Sequence, residues 1–113
     1  MKLRSIRTFG FKTFAPPEDA DLSKRSDMLF VAGFAHDPNE DAALWFVEEV
    51  FHIIQQRAPD VRLWLVGSNP TPKIRHLAAN PSIAVTGFVT DEQLAAHYAK
   101  ARVAIAPLRY GAG

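Results

Sequence analysis

Four short apolar runs punctuate the chain, and each stops at a glycine or a proline. Met28-Leu29-Phe30-Val31-Ala32 runs into Gly33 and Arg62-Leu63-Trp64-Leu65-Val66 into Gly67. Ile83-Ala84-Val85-Thr86 runs into Gly87 and Val103-Ala104-Ile105-Ala106 into Pro107. Continuous apolar runs of this length suit strands buried on both faces. The intervals between them carry helical spacing. Asp37-Pro38-Asn39-Glu40 offers an N-cap aspartate, a proline at the first helical position and a glutamate three residues after the cap. Leu44, Val47, Phe51, Ile54 and Ala58 follow on one face, which Phe46, Val50 and Ile53 widen. Glu48, Glu49, His52 and Gln56 form the wet side, and Pro59 ends the helix. Thr71-Pro72 opens a short helix carrying Ile74, Leu77 and Ala78, closed by Asn80-Pro81. Thr90-Asp91-Glu92-Gln93 is a second capping box, and Leu94, Tyr98 and Ala101 share a face behind it.

Four strands thus alternate with three helices, which makes the chain an α/β protein. Every connection is a crossover, so the sheet is expected to be parallel and the crossovers right-handed. The expected strand order is 3-2-1-4, a partial Rossmann-like doubly wound sheet whose switch point lies between the first and fourth strands. Ligands of such sheets sit at the carboxyl ends of the strands flanking that point. Here those ends are Gly33-Phe34-Ala35-His36 and the segment 107–113. Residues 1–27 read differently. Lys2, Arg4, Arg7 and Lys12 precede Pro16-Pro17 and the acidic Glu18-Asp19-Ala20-Asp21, and the double proline excludes a continuous helix. We expect an arm or linker over 1–27, with an edge strand over 6–11, and the folded domain over 28–113.

Composition narrows the function. The 113 residues are 48% hydrophobic and 22% charged, which fits one globular domain or part of one. A chain of this length can bury about two-thirds of its unfolded surface. With no cysteine, a thiol nucleophile, a disulfide scaffold and a cysteine-ligated metal are excluded. Thirteen basic residues against twelve acidic ones argue against nucleic-acid binding as the main task. No apolar run approaches a membrane span and the basic start lacks a signal-peptide core, so a cytoplasmic location is the expectation.

Several candidate chemistries fall on inspection. His52, His76 and His97 lack the HExxH spacing and are expected at the surface, so no metal site is expected. Asp19-Ala20-Asp21 has the D-x-D form but lies in a proline-flanked arm rather than after a buried strand, and is read as solvated linker. Ser68 has no G-x-S-x-G context, and no G-x-G-x-x-G follows the first strand. Asp37 and Glu40 are explained by capping, and Asn39 is placed to support the first loop. Trp45 falls on the Glu49 and His52 side of its helix, an unusual place for tryptophan; it meets another surface or folds over the helix. Trp64 is expected in the core.

The strand ends taken together carry more. Gly33-Phe34-Ala35-His36-Asp37-Pro38-Asn39-Glu40, Val66-Gly67-Ser68, Val85-Thr86-Gly87-Phe88-Val89 and Ala106-Pro107-Leu108-Arg109-Tyr110-Gly111-Ala112-Gly113 occur in this order. Over 28–113 the chain resembles the carboxy-terminal, donor-binding domain of a group 1 glycosyltransferase of the GT-B fold. That resemblance implies a retaining enzyme moving sugar from a nucleotide-diphosphate-sugar donor to a glycan or lipid-linked acceptor, with no cofactor beyond the donor substrate. It implies a cytoplasmic enzyme, with the inner face of the membrane as a further site for the parent protein. Residue by residue it maps Gly33 and Phe34 onto the loop entering the cleft. Gly87, Phe88 and Val89 map onto the base-contacting strand end, and Gly111, Ala112 and Gly113 onto the loop toward the donor phosphates. Arg109 stands beside that loop, placed for phosphate neutralisation, and His36 stands near donor sugar or phosphate. No residue here is assigned a catalytic role. In the family a basic residue and two glutamates seven residues apart follow the Gly-Ala-Gly, and a second domain binds the acceptor. The 113 residues are therefore expected to be a piece of the enzyme, inactive alone. A non-catalytic Rossmann-like binding or assembly module, self-associating through an exposed fourth strand, is the alternative, as is a nucleotide-sugar epimerase fragment.

Overall fold

A computed structural model describes residues 22–111. The expected arm features over 1–21, including the edge strand and Asp19-Ala20-Asp21, and the terminal Ala112 and Gly113 lie outside the described residues. Four strands, β1 (Ser26–Val31), β2 (Leu63–Val66), β3 (Ile83–Val85) and β4 (Ala101–Ala104), form one sheet in the order β3-β2-β1-β4. Every pair is parallel, with Phe30 opposite Leu65, Leu65 opposite Val85 and Met28 opposite Val103. This is the doubly wound α/β arrangement and strand order that the sequence predicts.

Three helical crossovers connect the strands. The first runs through α1 (Asp37–Phe46), a π-helical stretch (Val47–Phe51) and α2 (His52–Arg57). The second is α3 (Pro72–His76), continued by a 3-10 turn (Leu77–Ala79), and the third is α4 (Asp91–Lys100). The caps explain where they start. Thr71 accepts from the Ile74 amide, and Thr90 and Gln93 complete the expected reciprocal capping box.

The π stretch corrects the expected face of the first helix. A π turn holds an extra residue, so the apolar stripe changes phase there. Phe46 and Phe51, five apart, both point into the core with ring centroids 6.4 Å apart. Ile53, expected on the buried face, is rotated out and is 48% exposed. Val50 is half-buried and Ala58 exposed.

Alternation along β1 divides the core. Phe30 and Ala32 pack with Phe34, Ala42, Ala43, Phe46, Leu63 and Ile74 on one side. Leu29 and Val31 pack with Val66, Tyr98 and Ala101 on the other, under α4. β1 is therefore covered on both faces, as its unbroken apolar run predicts. β4 is an edge strand with Arg102 and Val103 exposed.

The structure also places residues 22–27 against the sheet. A 3-10 turn (Leu22–Lys24) leads into β1, which starts at Ser26 paired with Ala101. Arg25 is buried, and its guanidinium donates to the Tyr98 and Ala101 carbonyls at 3.2 and 3.4 Å. A cation there offsets the negative end of α4. Asp27, at φ 75°, accepts from the Arg62 amide and the Trp64 indole N–H, each at 3.0 Å. These polar residues sit just before the apolar run, so the run alone does not reveal that the strand begins there.

Candidate functional site

The candidate site is built at the carboxyl ends of the strands. Strand order puts β1 beside β4, so their loops are neighbours. After β1 the chain leaves the sheet at Gly33 and enters α1 at His36. His36, not the expected Asp37, is the N-cap residue; its carbonyl accepts from the Asn39 and Glu40 amides, and its exposed side chain makes no cap hydrogen bond. The expected Asp37 capping box is therefore not formed. The loop is instead braced by Asn39, whose side-chain amide reaches back to the Gly33 carbonyl at 2.9 Å. Asp37 and Glu40 remain in the first turn, where acids suit the helix dipole.

Phe34 is fully buried, edge-on to Phe30 at 5.5 Å. Its ring belongs to the core, and its amide donates to the Ser68 carbonyl at 3.0 Å. The amides of Phe34, His36, Asn39 and Glu40 are all used on protein carbonyls. Gly33, Ala35 and Asp37 are the loop's amides without a protein acceptor among the described residues. Beside this loop, Gly67 passes so close to β1 that a Cβ there would lie 1.6 Å from the Ala32 carbonyl oxygen.

The β4 loop crosses over the first turn of α1. Gly111, at φ 71°, approaches Pro38 so closely that a Cβ would stand 2.4 Å from its ring. Arg109 grips Asp41 with two hydrogen bonds of 2.6 and 2.9 Å and lies over the Trp45 ring at 5.8 Å from its centroid. The paired guanidinium holds the Asp41 carboxyl below its usual range, and Asp41 holds the arginine above its own. Trp45 therefore folds against a loop of its own domain and is half-buried. Gly33, His36, Arg109 and Gly111 are gathered around one helical turn by these contacts.

Gly87, Phe88 and Val89 stand elsewhere on the same rim. β3 is the far edge of the sheet, three strand spacings or about 14 Å from β4. Gly87 turns the chain at φ 73°, Val89 packs on the α4 side of the core, and Phe88 is 76% exposed. The rim is acidic: Asp37, Glu40 and Asp41 occupy the first helix, and Asp91 and Glu92 open α4. Arg109 is the cation the β4 loop brings to it. Among the described residues, no group of three His, Asp or Glu side chains is close enough to hold a metal ion, and no helix is long and apolar enough to cross a membrane.

Sequence reasoning missed three polar positions. Arg25 and Asp27 fell within the expected arm, and Asp41 is joined to the expected Arg109 across 68 residues of sequence. Two further expectations are corrected. Trp64 is half-buried rather than core, because one edge of its ring is taken by the Asp27 carboxylate. His97 is not a free surface residue; its ring lies 5.3 Å from that of Trp64, and burial, then Lys100, pushes its pKa down.

Neither curated proteins nor solved structures give a match to the chain. A family model does, over residues 25–113, and its description is glycosyl transferases group 1. The match begins at Arg25, beside the start of β1, and takes in all four strand-end loops. With the parallel 3-2-1-4 sheet and its loops at the switch point, the chain belongs to the group 1 glycosyltransferases.

Proposed function

We propose that this chain carries part of the donor site of a retaining GT-B glycosyltransferase. The donor is a nucleoside-diphosphate sugar and the acceptor a glycan or a lipid-linked acceptor. The observation that carries the reading is the meeting of the β1 and β4 loops over the first turn of α1, with Arg109 at its edge. The base is received at the β3 end, by the exposed Phe88 ring and the backbone of Gly87 and Val89. The diphosphate extends along the rim toward the Gly33 and Gly111 backbone and the exposed His36 side chain. When the sugar leaves, negative charge grows on the diphosphate, and a positioned guanidinium with backbone N–H groups stabilises it. In mechanism the chain's own residues bind and orient; none of them is assigned proton transfer.

The test is saturation-transfer NMR with UDP, GDP and ADP, with a nicotinamide dinucleotide as control. The reading expects one nucleoside diphosphate to be preferred, with its base protons in contact. Equal response to all four, or to none while the chain remains folded, overturns it.

Asp41 sets a second expectation. Its carboxylate competes with the donor diphosphate for the Arg109 guanidinium. Asp41→Asn removes the competing charge and should tighten the binding of the preferred nucleoside diphosphate by about two- to fivefold, the range expected of an exposed charge pair. The effect should shrink as salt is raised, since both side chains remain partly solvated. Because the carboxyl's pKa is depressed, the pair is intact at neutral pH and is lost only as pH falls through that lowered value. Calorimetric titration reads it; weaker binding in Asp41→Asn is the contrary result.

A further inference from the structure

The other end of the sheet carries a hollow that the donor reading leaves unused. It encloses about 240 Å³ where β1 and β4 begin and α4 ends. Leu29 and Ala101 form an apolar floor, and Trp64 and His97 form one wall. Lys24 and Lys100 stand at the rim beside the Ser26 hydroxyl. Its lining on β1 runs from Ser26 to Leu29, so this hollow lies about 13–23 Å along the strand from Gly33 and the proposed donor loops.

Its charge is one-sided. Asp27 is the acid in the lining, and both of its oxygens already accept, from the Arg62 amide and the Trp64 indole. Lys24 and Lys100 make no salt bridge or hydrogen bond among the described residues. The carbonyls at the end of α4 would repel an anion, but buried Arg25 takes two of them. Arg62 lies over the Trp64 ring at 4.9 Å and adds positive potential behind the wall. The wall is also held in place. Asp27 keeps a positive φ that few non-glycine residues adopt, and from there fixes the indole.

We propose that this hollow is a binding site for a small oxyanion, of the sulfate, phosphate or carboxylate class, held by Lys24, Lys100 and Ser26 against the Trp64–His97 wall. The site is separate from the donor rim and stands whether or not the donor reading does. His97 makes it pH-sensitive. The groups facing that imidazole are Lys100 on its own helix, Trp64 on β2, Asp27 and Ser26 on β1, and Lys24 before β1. Empty, the site disfavours the imidazolium, through burial first and then the nearby Lys100. A bound anion favours the imidazolium, so affinity rises as pH falls.

The experiment is an NMR titration of the wild-type chain, following the Trp64 indole N–H and the His97 ring protons. Sodium sulfate serves as the probe because its charge is constant across the range; sodium acetate tests the carboxylate arm and sodium chloride matches ionic strength. Sulfate, acetate or both should shift the two signals saturably, and chloride should not. Sulfate should bind more tightly at about pH 5.5 than at about pH 7.5, on either side of the ordinary histidine range. Lys100→Gln should weaken it about threefold, and the pair Lys24→Gln with Lys100→Gln about tenfold, in line with solvated charge contacts. Shifts that match those of chloride, or that survive both lysine substitutions unchanged, overturn the proposal. Addition of the preferred nucleoside diphosphate should leave the sulfate-induced shifts in place; displacement would place the anion at the donor rim and also overturn it.

Discussion

Gly67→Ala should lower the melting temperature by about 20 °C or more. A Cβ at this position would lie 1.6 Å from the Ala32 carbonyl oxygen and 2.7 Å from its carbonyl carbon. Both are backbone atoms of the chain just after β1, so no rotamer change can relieve the clash. The main chain cannot slide either, because the Ala32 amide donates to the Val66 carbonyl at 3.0 Å, one residue before the glycine. Gly67 also holds φ 150°, outside the range that side-chain-bearing residues favour. Overpacking of a tight site costs about 1–3 kcal/mol and a strained backbone conformation a further 1–3 kcal/mol. The sum spans about 2–6 kcal/mol, and a backbone clash this short puts the cost in the upper half, about 4–6 kcal/mol, a large share of a typical domain's total stability. At about 4–8 °C per kcal/mol for a domain of this size, the melting shift follows. Gly33→Ala is the control. It is also a glycine closing a strand, yet an added Cβ there meets nothing within 4 Å. It should change the midpoint by no more than a few degrees. Thermal unfolding followed by circular dichroism separates the two, and similar midpoints for both variants would contradict this account of the β1–β2 loop crossing.

That contrast also marks what the sequence makes legible. All four apolar runs stop at a glycine or proline, and this punctuation, with helical spacing between the runs, gives crossover connections and hence the parallel doubly wound order 3-2-1-4, although the fourth strand forms earlier than its run, at Ala101–Ala104. Local polar chemistry is legible where partners are close in sequence. Thr90 with Gln93 is an example, and Asn39 behind Gly33 is another. What escapes is set by contacts between distant segments. Gly33 and Gly67 look alike in sequence, and only the approach of Ala32 distinguishes them. Asp27 and Trp64 are 37 residues apart, and Arg109 and Asp41 are 68 apart; neither pairing leaves a periodic signal. The π stretch escapes for a different reason. Leu44, Val47, Phe51 and Ile54 fit an ordinary helical stripe, and the phase change appears only when Phe46 and Phe51 are packed on one side and Ile53 is turned out.

The two phenylalanines of the proposed donor loops should respond in opposite ways. Both follow a strand-ending glycine, and resemblance places both near a nucleotide sugar. Phe34 is fully buried, with its ring edge-on to Phe30 in the larger half of the core. Truncating it to alanine removes a buried aromatic ring and leaves a cavity walled by β1 and α1 residues that are themselves fixed. The expected loss is about 3–5 kcal/mol of stability. Phe88 is 76% exposed and supports no core. Its truncation should change stability by less than about 0.5 kcal/mol. Its ring is instead available to a planar base, and aromatic–base stacking is worth about 1–3 kcal/mol, so Phe88→Ala should weaken the preferred nucleoside diphosphate about tenfold. Urea unfolding and calorimetric titration of both variants give a crossed result: a lowered urea midpoint for Phe34→Ala with intact folding for Phe88→Ala, and a binding loss in Phe88→Ala that no loss of folded protein explains. Unchanged nucleotide affinity in a folded Phe88→Ala would remove the ring from the base site and leave only the Gly87 and Val89 backbone there. A Phe34→Ala chain as stable as wild type would contradict the packing of the β1 loop itself. The same loop position after two parallel strands thus serves the core in one case and the rim in the other. β1 is central and its loop turns under α1, whereas β3 is the sheet edge and its loop has no further strand to cover it.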